Sequence, residues 1–235
     1  MARIFDCSDQ SELLSGMRLA RGAIGRGELV VVPTDTVYGV AADAFDPSAV
    51  ARLLAAKGRT RQAPPPVLVP GIPTLDALTE TVPDAVRRLV AEFWPGALTI
   101  ILPAQPSLVW DLGETAGTVA LRMPDNRIAL ELLSETGPLA VSSANRTGRP
   151  PATSAAQAED ELGESIAVYL DGGDTPGATP STIIDATRLA AGDGLIRIVR
   201  EGTISTEDLY RIAGDFFETD DELPRSPHTE SDTAK

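Results

Sequence analysis

Apolar residues recur at helical spacing between Ser11 and Gly25, where Leu13, Leu14, Met17, Leu19, Ala20 and Ile24 predict an amphipathic helix ending before Gly27. Leu29 to Val32 then read as a short buried strand. Pro47 opens a second helix through Val50, Leu53 and Leu54, ending near Lys57–Gly58. The proline-dense "PPPVLVPGIP" leaves room for only a short strand. Pro83 starts a helix that runs to Phe93.

Beyond Pro95–Gly96 the pattern gives strand ("ALTIILP"), loop, strand ("TVALRMP"), a helix from Ile128 to Leu133, and strand ("LAVSS"). A helix from Ala155 to Leu162 follows, then strands "AVYLD", "STIID" and "LIRIV", and a last helix from Thr206 to Ile212. Strands and helices alternate irregularly, which predicts an α/β domain on a mixed sheet rather than a regular doubly wound one. There is no internal repeat and no linker before residue 213, so residues 1–212 read as one domain. Residues 213–235 read as an acidic, disordered tail.

Composition narrows the chemistry. With 43% hydrophobic but only 4% aromatic residues, the core rests on aliphatic side chains and alanine. No apolar run approaches the length of a membrane span and the first ten residues lack a signal-peptide core, so a cytoplasmic protein is expected. Cys7 is the lone cysteine and His228, in the tail, the lone histidine, which argues against a disulfide, a histidine-dependent triad and a Cys/His metal site. The net charge is −14, but residues 1–150 hold 14 Lys/Arg against 16 Asp/Glu, whereas residues 151–235 hold 6 against 18. The acidity therefore says little about a binding cleft in the first part.

Three apolar strands run out into small polar residues. Thr34, Asp35, Thr36, Tyr38 and Gly39 follow Val31–Pro33; Ser142, Ser143 and Asn145 follow Leu139–Val141; Ser181 and Thr182 precede the "STIID" strand. Each alone fits a turn or cap, and together they fit the strand-end rim at which α/β folds bind ligands. Cations are nearby: Lys57, Arg59 and Arg61 at a helix end, Arg122 at the end of "TVALR", and Arg197 and Arg200 around "LIRIVREG". They complement a helix terminus or converge on phosphates. Lys57 is the only lysine before residue 235 in a chain that otherwise uses arginine, a pattern that suggests a need for a compact ammonium. Neither a GxxxxGK[ST] loop nor a GxGxxG fingerprint is present.

In chain order, "PTDTVYG", "KGR", "FWPGALTIIL", "VALRMP", "SSANRTG", "STIID" and "VREG" resemble the YrdC/Sua5 family of threonylcarbamoyl-AMP synthases, over roughly residues 12–210. Each motif is weak alone; seven in order are specific. The resemblance implies a YrdC-like α/β domain, its twisted mixed sheet and flanking helices surrounding a deep concave cleft. It implies a reaction in which L-threonine, bicarbonate or CO2, and ATP give threonylcarbamoyl-adenylate and pyrophosphate. The product serves the threonylcarbamoyl modification of adenosine 37 in tRNA, completed by a separate transferase complex. ATP is then a substrate accompanied by Mg²⁺, with no tightly bound cofactor. Such chemistry rests on positioning and charge neutralisation, so a chain without a catalytic histidine can perform it.

The resemblance assigns Thr34, Thr36 and Tyr38 to the threonine and carbamate end, together with Arg122 and Ser181. It assigns Lys57 and Arg59 to the phosphates or the bicarbonate-derived carboxyl, as the catalytic cations. Thr118, Ser143, Asn145 and Arg200 fall to the nucleotide, with Arg197 the alternative to Arg200. Thr60, Ala63, Pro65 and Leu68 depart from the family pattern, and the chain resembles its short, single-domain form. A YciO-like paralogue and a double-stranded RNA-binding module are the alternatives, the latter requiring a clustered basic face.

Overall fold

The computed structural model describes residues 3–218. Ten strands among these residues form one mixed sheet: β1 (Arg3–Asp6), β2 (Val30–Val32), β3 (Gly39–Asp43), β4 (Val67–Leu68), β5 (Leu98–Pro103), β6 (Thr118–Arg122), β7 (Leu139–Ser143), β8 (Val168–Asp171), β9 (Thr182–Asp185) and β10 (Arg197–Arg200). Their order is β1-β8-β2-β3-β7-β4-β6-β5-β9-β10. Parallel pairs (β1/β8, β2/β8, β4/β6, β5/β9) and antiparallel pairs (β2/β3, β3/β7, β4/β7, β5/β6, β9/β10) are interspersed, which is the mixed sheet the irregular alternation predicts.

Helices cover both faces. α1 (Gln10–Gly25) is capped by Asp9, whose carboxylate accepts from the Ser11 and Glu12 amides, and it buries Met17, Ala20, Ala23 and Ile24. Leu14 and Leu19, expected in the buried stripe, stand exposed, because at 100° per residue they fall to either side of the face formed by Gly16, Met17, Ala20, Ala23 and Ile24. α2 (Pro47–Lys57) has Asp46 as its cap and Pro47 in the first turn. Strand alternation divides the core between the two sides: Val30, Val32 and Ala41 pack with α1, while Val31, Val40 and Ala42 pack with Leu53 of α2. Burying a side chain such as Leu53 contributes about 1.5–3 kcal/mol.

The remaining helices are α3 (Ile72–Leu78), α4 (Asp84–Phe93), α5 (Arg127–Thr136), α6 (Ala155–Leu162), α7 (Thr187–Ala191) and α8 (Thr206–Ala213). A third core, in which Val86, Leu89 and Val90 of α4 meet Leu98, Ile100 and Leu102 of β5, supports the C-terminal half of the sheet.

The packed chain continues past residue 212. Ala213 and Phe217 are buried in this third core, and Phe217 bridges to Ile196. The expected tail therefore does not begin at residue 213; its remainder, 219–235, with His228, lies outside the described residues. No described helix is long and apolar enough to cross a membrane.

Candidate active site

A cleft of about 420 Å³ crosses the sheet, lined from β3, β7, β4, β6, β5, β9 and β10 and from the loops at their ends. It collects most of the residues marked by the sequence: Thr34, Thr36, Tyr38, Arg59, Arg122, Ser143, Asn145, Ser181 and Arg200.

The β2–β3 loop forms one wall through a local hydrogen-bond knot. Thr34 Oγ1 donates to Val37 O at 2.6 Å and accepts from the amides of Thr36 and Val37. Thr36 Oγ1 lies 3.1 Å from Thr34 Oγ1 and accepts from Arg122 Nη1 at 3.0 Å. Tyr38 is fully buried, and its hydroxyl donates to Gly173 O at 2.6 Å while accepting from the Gly172 amide at 3.1 Å. That phenol ties the wall to the segment after β8. Burial raises its pKa, keeping it protonated.

Arg122 closes β6 and is almost wholly buried. Its Nε donates to Gly96 O at 2.9 Å, in the turn of the "WPG" motif, and its Nη2 donates to Asp35 Oδ1 at 2.6 Å. The same Asp35 oxygen accepts from the Asp125 amide at 3.0 Å. One carboxylate thus anchors both the arginine and the chain beyond it, a bond strengthened by opposite charge in a water-poor site.

Arg200 donates from Nε and Nη2 to Ser181 O, at 3.1 and 2.7 Å. Gly202 follows closely; a side chain there would run into the backbone of Pro180 and Ser181, so the "REG" glycine permits this approach. Arg197 leaves the site instead, pairing with Asp185 at 3.3 Å on an exposed edge.

Lys57 departs from its expected place. It is 1% exposed and is not part of the cleft lining. Its ammonium donates to Ser143 O and to Asn145 O, the latter at 2.6 Å, while its own carbonyl accepts from the Thr147 amide at 2.9 Å. Burial, followed by the charge of Arg59, pulls its pKa down to about 7, while the two carbonyl acceptors favour the charged form.

The chain turns at Gly58, which has a φ of 64°, and carries Arg59 into the cleft. Among the described residues Arg59 makes no ion pair or side-chain hydrogen bond. Burial lowers the pKa of Arg200, and the charges of Arg122 and Arg59 lower it further, so its guanidinium feels both of the others across the cavity. Arg149 also lines it, whereas no Asp or Glu does among the described residues. An arginine-walled cleft in an acidic protein is shaped for an anion of several charges.

A side cavity of about 170 Å³ opens beside it, largely apolar, with Pro64, Pro65, Ile101, Leu112, Val119 and Val199 in its walls. Thr118 lies here rather than in the main cleft, its hydroxyl donating to Thr115 O at 2.7 Å. Sequence reasoning missed Thr99, a buried hydroxyl that lines both cavities. The signal for it was one threonine inside an otherwise aliphatic run, "ALTIIL".

Comparison with known proteins converges on one group. The Sua5–YciO–YrdC family model, described as telomere recombination, matches residues 22–202. A Mycobacterium tuberculosis protein called a putative threonylcarbamoyl-AMP synthase is 50% identical over 214 residues, covering 91% of this chain and 96% of its own length. The structure of Pyrococcus abyssi Sua5 complexed with L-threonine superposes with a TM-score of 0.82 at 31% identity; the match covers 93% of this chain but 62% of that one. Escherichia coli YciO gives a TM-score of 0.76 at 24% identity over 89% of this chain and all of its own, a likeness of fold.

Proposed function

The chain belongs to the Sua5–YciO–YrdC family, and from that premise we propose that it is an L-threonylcarbamoyladenylate synthase. It is an enzyme of the nucleotidyltransferase type, taking L-threonine, bicarbonate or CO2, and ATP, and releasing pyrophosphate. The observation that carries this reading is the convergence of Arg59, Arg122 and Arg200 on a cleft whose described lining contains no carboxylate. A triphosphate relieves the repulsion that Arg200 feels from the other two, and the adjoining apolar cavity suits a nucleobase.

In this reading Arg59 and Arg200 hold the phosphates, and the side cavity with Thr118 takes the base. Thr36, Arg122 and Ser181 receive the threonine and its carbamate. Thr34 shapes the loop, because its proton is already committed to Val37 O and its oxygen accepts two amides. Ser143 and Asn145 border the phosphates from the β7 side, and Lys57 fixes their backbone from below. The threonine amine and bicarbonate give a carbamate and water. A carbamate oxygen then bonds to the α-phosphorus, and the Pα–O bond to pyrophosphate breaks with its electron pair.

The described residues include no cluster of acids, histidines and cysteines able to cage a metal. The wall's hydroxyl and amide oxygens suit a Mg²⁺ carried in by ATP and held by phosphate oxygens and water, where it would neutralise phosphate charge. The product leaves for a downstream tRNA threonylcarbamoyltransferase complex, and a cytoplasmic setting accords with these substrates.

Incubation of the purified protein with ATP, bicarbonate and L-threonine tests the proposal by release of pyrophosphate and appearance of the adenylate. Threonine-dependent pyrophosphate is the expected result. Its absence would remove the synthase reading and return the YciO-like and RNA-binding alternatives. The 50% identity to a protein called a putative synthase favours the enzyme over either.

A further inference from the structure

Thr99 on β5 and Ser181 at the entry to β9 face each other with their hydroxyl oxygens 2.8 Å apart, both buried and both lining the main cleft. Two hydroxyls carry two protons, and the bond between them uses one. The other polar contact to this pair comes from Arg200 Nη2, 3.3 Å from Ser181 Oγ, and it is a donor. Among the described residues no acceptor takes the second proton. If Ser181 donates to Thr99, the Thr99 proton is unspent; if Thr99 donates, the Ser181 proton is. Either way the pair presents one hydrogen-bond donor without a protein partner, in a buried place where an unmade bond is costly.

Position decides what that donor meets. Four residues line both the main cleft and the side cavity: Pro64, Pro66, Thr99 and Ile183. Of these, Thr99 has the one side chain able to hydrogen-bond. If the side cavity takes the base and the cleft takes threonine and phosphates, the bond between carbamate and α-phosphorus forms at their junction. We propose that Thr99 is a further catalytic residue: Ser181, which accepts from Arg200, donates to Thr99 Oγ1, and the Thr99 proton so left unspent is donated as a hydrogen bond to the carbamate or α-phosphoryl oxygen as charge shifts between them. No proton is transferred; the bond is made stronger in the transition state, where the transferring oxygens carry the most charge.

This inference rests on the synthase reading, and the experiment separates the two. Pyrophosphate release is measured for wild type, Thr99→Val and Thr99→Ser, with unfolding midpoints and L-threonine binding recorded alongside. Thr99→Val, which keeps the shape and removes the hydroxyl, loses on the order of a hundredfold in kcat with KM for ATP and threonine little changed. Thr99→Ser restores most of the rate, since it restores the donor without the methyl group. Wild-type kcat in Thr99→Val overturns the proposal. So does an equal loss in both variants, which would assign the effect to the methyl group and packing. Should Thr99→Val fail to fold, a Thr99→Ser rate far below wild type still overturns it. No threonine-dependent pyrophosphate from the wild-type protein would instead sink the synthase reading itself.

Discussion

The Lys57 ammonium lies 2.6 Å from the Asn145 carbonyl and beneath the loop that follows β7, so the chain's one internal lysine holds the cleft's floor rather than reaching into it. Its compact head donates to two carbonyls, those of Ser143 and Asn145. The same residue's carbonyl binds the Thr147 amide, so α2 and the 143–147 loop are joined at two levels.

Lys57→Met therefore strands the Asn145 carbonyl, whereas the Ser143 carbonyl keeps the Asn145 amide as a donor at 2.9 Å. Each unsatisfied buried acceptor costs about 1–3 kcal/mol, offset in part by removal of a buried charge. The expected outcome is a lowered denaturation midpoint together with a raised KM for ATP, as the Ser143–Asn145 wall loosens. Urea unfolding and steady-state kinetics check both. A variant that keeps wild-type stability while losing turnover would show that the ammonium contacts phosphate directly.

The same lysine gives stability a pH dependence of definite sign. Its folded pKa of about 7 lies below its ordinary value of 10.5. Between these limits the unfolded chain binds a proton that the folded chain has released, so stability rises with pH across that window. Well below about pH 7 both states are protonated and the cost of the buried charge is borne in full. The difference in unfolding free energy between wild type and Lys57→Met should slope upward through about pH 7 towards pH 10 and flatten below about pH 6. A flat difference throughout would mean that the folded pKa is unshifted.

Much of this site was legible before the fold because its residues cluster at strand ends, where local polarity interrupts an apolar run. Thr34, Thr36, Ser143, Asn145 and Ser181 were visible in that way, and all five line the cleft. What sequence could not show was depth. Lys57 and Arg59 sit two residues apart, but Gly58 lies between them with a positive φ, so one is buried and the other faces the cavity. Arg197 and Arg200 are separated by an irregular register in β10, and only their pairing with β9 shows which of them turns inward. β3 escaped notice because Gly39, Ala41 and Ala42 carry little strand signal, and α3 was masked by the surrounding prolines. Thr99 was hidden among aliphatic neighbours, since its meaning comes from Ser181, 82 residues away.

Arg59 carries the opposite signature to Lys57. It is half-buried, lacks a side-chain partner among the described residues, and adds to the charge felt by Lys57 and Arg200. Removing it relieves repulsion without stranding an acceptor. Arg59→Ala should leave the melting temperature unchanged or slightly higher, while pyrophosphate release falls by roughly a hundredfold or more, in line with removal of a preorganised charge at a transferring phosphoryl group. Thermal unfolding beside the pyrophosphate assay reads both. A marked loss of stability would place Arg59 in the scaffold instead.

The Asp35–Arg122 pair separates stability from function most sharply, because both side chains are largely removed from water and both are tied to backbone as well as to each other. Asp35→Asn keeps the shape but leaves the Arg122 charge uncompensated, and breaking one side of a buried pair costs about 3–5 kcal/mol. Replacing both residues with apolar side chains of similar size, Asp35→Leu with Arg122→Met, removes the uncompensated charge and should recover much of that loss. The double variant nevertheless loses the cation beside Thr36, so L-threonine should no longer stabilise it against thermal unfolding, whereas ATP still should. Comparing ligand-induced shifts in melting temperature across the three proteins tests this. If L-threonine protects the double variant as well as wild type, Arg122 serves the fold alone, and the threonine end of the cleft must be sought around Ser181.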